Sequence, residues 1–256
     1  MIIGIIPARF ASTRLMGKPL ADIGGKPMIQ HTYESSLKSK LLKEVIIATD
    51  DEKIAKVCRG FGARVIETPK DIATGSDRIA YCTRNLHYAS IVVNIQGDEP
   101  FIKGRMIDEA IEPLFFDQNV NISTLAKKIT TVEEFLTPSI TKVVFDYNNF
   151  ALYFSRSPIP FVRNAHNDLE RIQMVDIYKH IGLYAYRREA LLKFTSLPPT
   201  DLEQIEQLEQ LRMLENDFKI KIVVTKSQSI SVDTQEDLDK VRQYYYQSLQ
   251  RKPAVD

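Results

Sequence analysis

Short apolar runs rich in β-branched residues alternate with amphipathic segments through the first 118 residues, and this alternation constrains the fold more than any other feature. The clearest runs are residues 2–7, 44–49 and 90–95. A strand that is apolar on both faces is typical of a parallel sheet covered by helices on each side. The alternation therefore predicts an α/β fold built on a mostly parallel, doubly wound, Rossmann-like sheet.

Functional residues are expected in the loops that follow these strands. In open parallel sheets, ligands bind beyond the carboxyl ends of the strands. The loops at that edge are residues 8–18, 50–51 with 68–78, and 96–101.

The pattern changes after residue 118, where strands follow one another with fewer helices between them. We predict a single domain with two parts: residues 1–118 with the last helix (235–249), and a smaller mixed-sheet lobe over residues 119–230. Within the lobe we predict one continuous helix over 202–214 and a polar, mobile loop over 164–171. The predicted strands of the lobe are 121–126, 141–146, 151–155, 181–186 and 219–225.

The charge balance and the lack of long apolar stretches exclude several classes of protein. The chain has 34 Lys and Arg against 33 Asp and Glu, so it lacks the basic surplus of a protein that binds nucleic acid through its phosphates. No stretch approaches the ~18 consecutive apolar residues of a membrane span, and we expect no membrane segment and no secretion signal. Cys58 and Cys82 have no paired spacing, so we expect reduced thiols in a cytoplasmic protein.

The loop after the first strand carries three cations and no anion. Arg9, Arg14 and Lys18 accompany two hydroxyl residues, Ser12 and Thr13. Backbone amides, hydroxyls and cations at the end of a strand predict a cradle for a polyphosphate, with a solvated basic surface loop as the alternative. The loop is not a Walker motif, and the chain lacks the glycine fingerprint of nicotinamide-dependent oxidoreductases.

The same loop resembles that of a known family. Its pattern, Pro-Ala-Arg-x-x-Ser-x-Arg-x-x-Gly-Lys-Pro-Leu over residues 7–20, is similar to the signature of sugar nucleotidyltransferases that act on CTP. The resemblance is closest to the 3-deoxy-D-manno-octulosonate (KDO) cytidylyltransferases, although many of them have proline where Met16 stands here. Further matching blocks follow in the same order along the chain: GGKPM (24–28), ATD (48–50), TGSDR (74–78), NIQGDEP (94–100), ALYFSR (151–156), HIGLY (180–184), LEQLR (208–212) and VDT (232–234).

This resemblance implies an Mg²⁺-dependent transfer of CMP from CTP to KDO, with release of diphosphate, for lipopolysaccharide biosynthesis. The anomeric hydroxyl of KDO is expected to attack the α-phosphate in line, with both substrates held in one cleft. The alternatives are the same chemistry on another 2-keto sugar acid, such as a sialic acid, and a nucleotide-binding regulatory module without catalysis. The implied partners are CTP, KDO and a second copy of the chain in a homodimer, with no nucleic acid and no membrane.

The resemblance also implies nucleotide-binding residues in several loops. Fixed cations stabilise the charge that develops on the α-phosphate and on diphosphate, so Arg14 and Lys18 are expected to act in catalysis together with Asp98. Ser76 has an alternative role as the N-cap of its helix. The implied nucleotide-binding residues are Ala8, Arg9, Ser12, Thr13, Arg14, Lys18, Gly75, Ser76, Arg78 and Gln96.

Two carboxylates are the expected magnesium ligands. Asp98 directly follows the strand 90–95, and Mg²⁺ prefers one or two carboxylates together with phosphate oxygens and waters. The resemblance supplies Asp233 as the second carboxylate. The alternatives are a turn-capping role for Asp98 and an N-cap of the last helix for Asp233. The four histidines have no metal-ligand spacing, so we do not expect a zinc site.

The resemblance assigns the sugar-acid site and the dimer contacts to the lobe 119–230. An Arg side chain suits the KDO carboxylate, while Glu, Gln, His and Tyr suit its hydroxyls. The homodimer expectation also uses the apolar strand 151–154 beside Ile159 and Phe161, and residues 157–173 are the least similar part of the chain. The implied sugar-acid-binding residues are Gln96, Arg156, His180, Tyr184, Glu209 and Gln210.

Overall fold

The computed structural model describes residues 1–10 and 15–250, which form two compact units. Unit 1 contains Met1–Ala89, Asn94–Ile107 and the chain from Gln228 onwards. Unit 2 contains Ser90–Val93 and Asp108–Ser227. The assignment of nucleotide binding to one part of the chain and sugar-acid binding to another stays a prediction.

Strands and helices alternate in the first part of the described chain, from β4 to α4, and less regularly after it. The strands are β1 (Ile2–Ala8), β2 (Asp22–Ile23), β3 (Lys26–Pro27), β4 (Glu44–Thr49), β5 (Arg64–Glu67), β6 (Ile91–Asn94), β7 (Ile122–Lys128), β8 (Lys142–Phe145), β9 (Ala151–Ser155), β10 (Tyr178–Arg187) and β11 (Ile220–Val224). The helices are α1 (Met28–Ser36), α2 (Glu52–Gly60), α3 (Gly75–Arg84), α4 (Gly104–Phe116), α5 (Val132–Leu136), α6 (Asp168–Met174), α7 (Arg188–Phe194), α8 (Asp201–Glu206), α9 (Glu209–Glu215) and α10 (Gln235–Gln250).

Unit 1 is built on parallel strands. β1 pairs in parallel with β4, with Ile3 opposite Glu44 and Ala8 opposite Thr49, and β4 pairs in parallel with β5. Ile5 and Ile6 lie on opposite faces of β1 and both are fully buried, as expected for a strand covered on both faces. A small antiparallel pair, β2 and β3, follows the first loop. The predicted α/β class, with a mostly parallel sheet, is confirmed.

Unit 2 has a mixed sheet, as the change of pattern after residue 118 predicts. β7 pairs antiparallel with β10 and parallel with β11. β8 pairs antiparallel with both β10 and β9. The short helices α5 and α7 in this unit were not predicted, because five- to seven-residue helices give little periodic signal.

The prediction of one helix over 202–214 is wrong. The chain forms two helices, because Gln207 ends α8 with a φ of 53° and Leu208 is extended. Leu208 and Leu211 are nevertheless both buried, so the apolar spacing continues across the break and hides it. A capping box between Thr200 and Glu203 fixes the start of α8.

The prediction of a loop over 164–171 is also wrong, because α6 begins within it. The Asn167 side chain accepts a hydrogen bond from Glu170 N at 2.9 Å and so caps the helix. Ile172 of α6 packs with Phe135 and Ile177 in a small apolar cluster. The sequence Asn-Asp-Leu-Glu at 167–170 is typical of a helix start with asparagine as the N-cap, although its polarity favours a loop.

The amphipathic pattern predicts a helix over residues 28–40, but α1 ends at Ser36. Lys38 N donates to Ser35 O and Ser39 N donates to Ser36 O, so the chain tightens into i→i+3 bonds. The Ser36 hydroxyl also donates to Thr32 O at 2.7 Å. Such bonds from serine to the preceding turn weaken a helix.

Both cysteines lie in helices of unit 1. Cys58 in α2 and Cys82 in α3 are free and buried. Burial raises the pKa of each thiol to about 12, so neither is a thiolate at neutral pH. Among residues 1–10 and 15–250, no helix combines the length and the apolar character needed to cross a bilayer.

Candidate active site

Two of the predicted site loops pack against the end of β1. A Cβ atom on Gly75, the first residue of α3, would lie 3.5 Å from Pro7 Cγ. A Cβ atom on Gly97, which follows β6, would lie 3.0 Å from the Pro7 carbonyl oxygen. The backbones of both loops therefore approach the carboxyl end of β1, as the parallel sheet predicts. Ala8, the last residue of β1, is buried and offers a ligand only its main chain.

A main-chain hydrogen bond joins the two ends of the first loop, just before Lys18. Gly17 N donates to Phe10 O at 3.1 Å. Gly17 has a φ of 68°, a conformation that favours glycine, and it caps a 3-10 turn that begins at Lys18 and contains Pro19. Three predicted residues of this loop lie outside the described residues, and their roles stay predictions: Ser12, Thr13 and Arg14.

Lys18 contacts both predicted metal ligands. Its Nζ donates to Asp98 Oδ2 at 2.7 Å and to Asp233 Oδ1 at 3.1 Å. Burial by itself lowers the pKa of Lys18, but the charges of Asp98 and Asp233 and the hydrogen bonds to them raise it above its ordinary value. Lys18 is therefore a fixed cation. Lys18, Asp98 and Asp233, which the matching motifs predict as site residues, lie together within unit 1.

The alternative role of Asp233 as a helix cap is wrong. Thr234 caps α10, because its hydroxyl oxygen accepts a hydrogen bond from Asp237 N at 3.2 Å. The Asp237 carboxylate in return accepts from Asp233 N and Thr234 N. These bonds leave the Asp233 carboxylate to pair with Lys18. The Asp98 carboxylate likewise pairs with Lys18.

The alternative role of Ser76 as a helix cap is also wrong. The cap of α3 is Thr74, whose hydroxyl oxygen accepts from Asp77 N at 3.1 Å. Ser76 is buried in the first turn of α3. Arg9 Nη1 donates to Ala73 O at 2.9 Å, so a cation of the first loop is bonded to the chain just before this cap.

Arg78 is fully buried, and its charge is balanced inside unit 1. Its Nη2 donates to Asp50 Oδ2 at 2.8 Å, and its Nη1 donates to the Thr68 hydroxyl. The guanidinium thus ties α3 to the loops that follow β4 and β5. Its predicted contact with the nucleotide stays a prediction, and the geometry gives it a supporting role.

The loop after β6 holds Gln96 and a residue that the sequence reasoning did not single out. Gln96 is partly exposed, and its Nε2 donates to Asn94 Oδ1 at 3.3 Å. Glu99 is buried and accepts a hydrogen bond from the Ser229 hydroxyl at 2.7 Å. Burial raises the pKa of Glu99 to about 7, against the lowering effect of the Ser229 bond. Its only sequence signal was its place in the matching block at 94–100.

Three predicted sugar-acid residues are near one another in unit 2. The rings of His180 and Tyr184 on β10 lie 5.3 Å apart between centroids, and the strand bulges between them. His180 Nε2 and Thr124 Oγ1 are 2.9 Å apart. Burial lowers the pKa of His180 to about 3, so the ring is neutral near pH 7. Burial and the charge of Glu209 raise the pKa of Tyr184 well above its ordinary value.

Arg156 follows β9 and binds the break between α8 and α9. Its Nε donates to Glu206 O at 2.7 Å, and its Nη2 donates to Gln207 O at 3.2 Å. Its Nη1 donates to Pro138 O at 3.2 Å. The Glu206 carboxylate in turn accepts from Arg156 N and from the Ser155 hydroxyl. These bonds give the Arg156 side chain one fixed position.

The helix α9 that carries Glu209 and Gln210 is held by a buried ion pair. Arg212 makes two hydrogen bonds to the Glu203 carboxylate, and its guanidinium lies 5.2 Å from the centroid of the Phe194 ring. Gln210 is buried in the first turn of α9, whereas Glu209 is partly exposed. The pair links α8 to α9 across their unpredicted break.

The donor set that Mg²⁺ prefers is present in unit 1. Asp98 and Asp233 already share one cation, the Lys18 ammonium group. Two carboxylates with phosphate oxygens and waters fit magnesium better than an all-protein cage does. In the part of the chain that the structure describes, no three His, Cys, Asp or Glu side chains form such a cage.

Comparison with known proteins gives consistent matches over nearly the full chain. The cytidylyltransferase family model matches residues 3–222. The 3-deoxy-manno-octulosonate cytidylyltransferase of Geobacter sulfurreducens is 52% identical over 244 residues, which covers 94% of this chain and 97% of that protein. The enzyme of the same description from Geotalea uraniireducens matches with the same identity and coverage. A solved structure of CMP:2-keto-3-deoxy-manno-octonic acid synthetase complexed with CTP is 40% identical with a TM-score of 0.90, and the match covers 96% of this chain and 99% of that one.

Proposed function

Because the chain belongs to the 3-deoxy-manno-octulosonate cytidylyltransferase family, we infer that it transfers CMP from CTP to KDO and releases diphosphate. The observation that carries this inference is the 52% identity over 94% of the chain. The arrangement of Lys18 between Asp98 and Asp233 supports it, because the chemistry needs both a fixed cation and carboxylates. A nicotinamide-dependent or nucleic-acid-binding function has no comparable support.

The reaction is a single in-line displacement at phosphorus. The anomeric oxygen of KDO forms a bond to the α-phosphorus of CTP, and the bond from that phosphorus to the bridging oxygen of diphosphate breaks. The proton of the attacking hydroxyl passes to a solvent water molecule as the bond forms. No covalent enzyme intermediate is needed, since both substrates are bound at once. Lys18 remains protonated and stabilises the charge that develops on the phosphate oxygens.

We propose that Asp98 and Asp233 hold the magnesium ion of this reaction. Bound there, Mg²⁺ would neutralise charge on the triphosphate and lower the pKa of the attacking hydroxyl. Lys18 would then bind phosphate oxygens as well as these carboxylates. Arg9 and the predicted residues Ser12, Thr13 and Arg14 would bind the rest of the triphosphate, and Gly75, Ser76 and Gln96 would contact the nucleoside.

The sugar acid is proposed to bind the residues of unit 2 that the motifs nominate. A guanidinium has five N–H groups, so Arg156 has two beyond its three bonds to carbonyl oxygens, and these suit the KDO carboxylate. His180 is neutral and suits a hydroxyl rather than an anion. Tyr184, Glu209 and Gln210 offer further partners to the hydroxyls of the sugar.

Diphosphate release measured with CTP or UTP, each paired with KDO or a sialic acid, tests the proposed function. Release is expected with CTP and KDO in the presence of Mg²⁺, and much less with the other three pairs. Release driven by the sialic acid and not by KDO would favour the alternative substrate. Binding of CTP without release in any pair would favour a regulatory module.

The cellular setting is proposed on the same basis. A KDO cytidylyltransferase supplies an activated sugar for lipopolysaccharide biosynthesis, and the two buried free thiols suit the reducing cytoplasm. We propose a homodimer from the family resemblance and from the exposed apolar side chains Leu152 and Phe161. A sedimentation mass that stays at one chain at all protein concentrations would contradict the dimer.

A further inference from the structure

Glu99 lies next to a proposed metal ligand but makes its own bond elsewhere. It is 7% exposed, whereas its neighbour Asp98 reaches Lys18. The Glu99 carboxylate accepts a hydrogen bond from Ser229 Oγ at 2.7 Å. Neither Glu99 nor Ser229 belongs to the phosphate, metal or sugar contacts described above. Burying a carboxyl group is costly, so its bond to Ser229 contributes to keeping it there.

Ser229 precedes Asp233 in the same extended segment, 228–234. The bond from Ser229 to Glu99 links this segment to the loop after β6. A main-chain bond from Val232 N to Asp98 O at 2.9 Å also links them. Val232 is fully buried and packs with Ile23 and Leu238, which fixes the middle of the segment. Asp98 and Asp233, the two proposed metal ligands, therefore lie on two segments that are bonded to each other at residues 229 and 232.

A second observation is that one of these bonds joins two main-chain atoms and the other joins two side chains. The main-chain bond is present whatever side chain occupies position 232, but the link at Ser229 depends on two side chains. Losing it removes the side-chain bond between residue 229 and the loop and leaves the buried Glu99 carboxyl without that partner. The Asp233 carboxylate is 45% exposed, so packing around its own side chain does little to hold it.

We propose that Glu99 is a positioning residue, whose hydrogen bond with Ser229 sets the separation of the Asp98 and Asp233 carboxylates and thereby the affinity for the divalent cation. This inference rests on the proposed function, in which those two carboxylates hold the metal. Removing a residue that orients a metal ligand without touching the metal typically weakens metal binding by about 10–100-fold.

The test compares S229A and E99A with the conservative variants S229T and E99Q, and with S231A as the matched control. Ser231 is exposed in the same segment, so S231A removes a hydroxyl without touching the link. Mn²⁺ binding to the complex of each variant with CTP is followed by the EPR signal of free Mn²⁺. The Mg²⁺ concentration for half-maximal diphosphate release is measured in parallel with kcat at saturating Mg²⁺, and a thermal midpoint is recorded for each variant.

We expect S229A and E99A to weaken Mn²⁺ binding by roughly 10-fold and to raise the half-maximal Mg²⁺ concentration by a similar factor, with kcat at saturation within about 3-fold of the parent. S229T and E99Q keep a donor and an acceptor, so their Mn²⁺ affinity should stay close to the parent's, as should that of S231A. Unchanged Mn²⁺ affinity in folded S229A and E99A would overturn the proposal. Loss of affinity in E99Q but not in S229A would also overturn it, because the charge of Glu99 and not its bond would then matter.

Failure of the underlying function has a different signature. If the parent protein binds no Mn²⁺ in the presence of CTP, the metal assignment itself fails, whatever the variants do. If S229A and E99A do not fold, S229C and E99D take their place, because the first weakens the donor and the second draws the acceptor back by one methylene group. Weaker Mn²⁺ binding in either folded variant, with S231A unchanged, supports the link, and parent affinity in both contradicts it.

Discussion

The ammonium group of Lys18 lies closer to Asp98 than to Asp233, at 2.7 Å against 3.1 Å. The Asp98 side chain is also the less exposed of the two, at 27% against 45%. Charge pairs interact more strongly where solvent is displaced, so the Asp98 pair is the stronger half of this arrangement. Asp98 is therefore the carboxylate whose removal should most disturb the cation beside it.

Replacing Asp98 by alanine should abolish turnover without unfolding the protein. The substitution removes a proposed metal ligand and frees Lys18 from its nearer partner, and losses of at least ~10²-fold in kcat are typical when one such electrostatic contact is removed. Asp98 lies in a loop and is partly exposed, so the thermal midpoint should change little. The exposed Asp22 provides the control D22N. Near-normal turnover in D98A would show that the metal assignment is wrong.

Replacing Gly24 by alanine should destabilise unit 1 far more than the same change at Gly25. Both glycines have positive φ values, 61° and 87°, so both variants carry backbone strain of about 1 kcal/mol. Of these two glycines, only Gly24 would place its new Cβ against another residue, where it would overlap the Tyr245 ring. The thermal midpoint of G24A should therefore fall well below that of G25A. If Y245A in the G24A background does not restore part of the loss, the clash is not its cause.

Replacing Arg78 by methionine should lower the thermal midpoint by roughly 5–10 °C. Removing one partner of a buried ion pair typically costs about 3–5 kcal/mol, since the other charge is left unpaired. The Asp50 carboxylate would be that charge. The exposed Arg84 on the same helix gives the control R84A. A stable R78M variant whose only defect is a raised KM for CTP would instead make Arg78 a nucleotide contact.

His180 should make the protein less stable in mild acid. Its pKa is about 3 in the folded protein and about 6.5 when unfolded, so the folded state binds fewer protons. The stability it contributes is present above about pH 6.5 and is lost as the pH falls towards 3. Between pH 7 and pH 5 the parent should lose at most about 2 kcal/mol more than H180Q does in urea unfolding. An imidazole proton resonance that is assigned to His180 by its loss in H180Q, and that titrates near pH 6.5 in the folded protein, would contradict this.

The strands of unit 1 were predictable because their signal is local. β4 spans Glu44–Thr49, the range that its apolar run predicts, since a strand buried on both faces must be apolar throughout. The break at Gln207 was not predictable, because the residues around it keep a helical apolar spacing and a left-handed glutamine has no sequence signature. The cap of α6 was readable in Asn167, but the polar composition around it outweighed that signal.

Only part of the candidate site could be predicted from the sequence. The motifs nominated Lys18, Asp98 and Asp233 individually, and their convergence follows from loops at one end of a parallel sheet. The supporting contacts were not predictable. Arg78 and Asp50 are 28 positions apart, and Glu99 and Ser229 are 130 apart. Pairs at such separations are made by tertiary packing, which a single sequence does not encode in any local pattern.

The three segments of unit 1 leave the ribosome at very different times. Asp233 follows Lys18 by 215 residues, and all of unit 2 beyond residue 107 is synthesised between them. At about 5–20 residues per second, Asp233 is synthesised roughly 10–40 s after Lys18. A nascent chain therefore passes through a period in which Lys18 and Asp98 are both available while α10 is still missing. Premature termination in that period would yield a product that carries Lys18 and Asp98 but lacks Asp233, the second of the two proposed metal ligands.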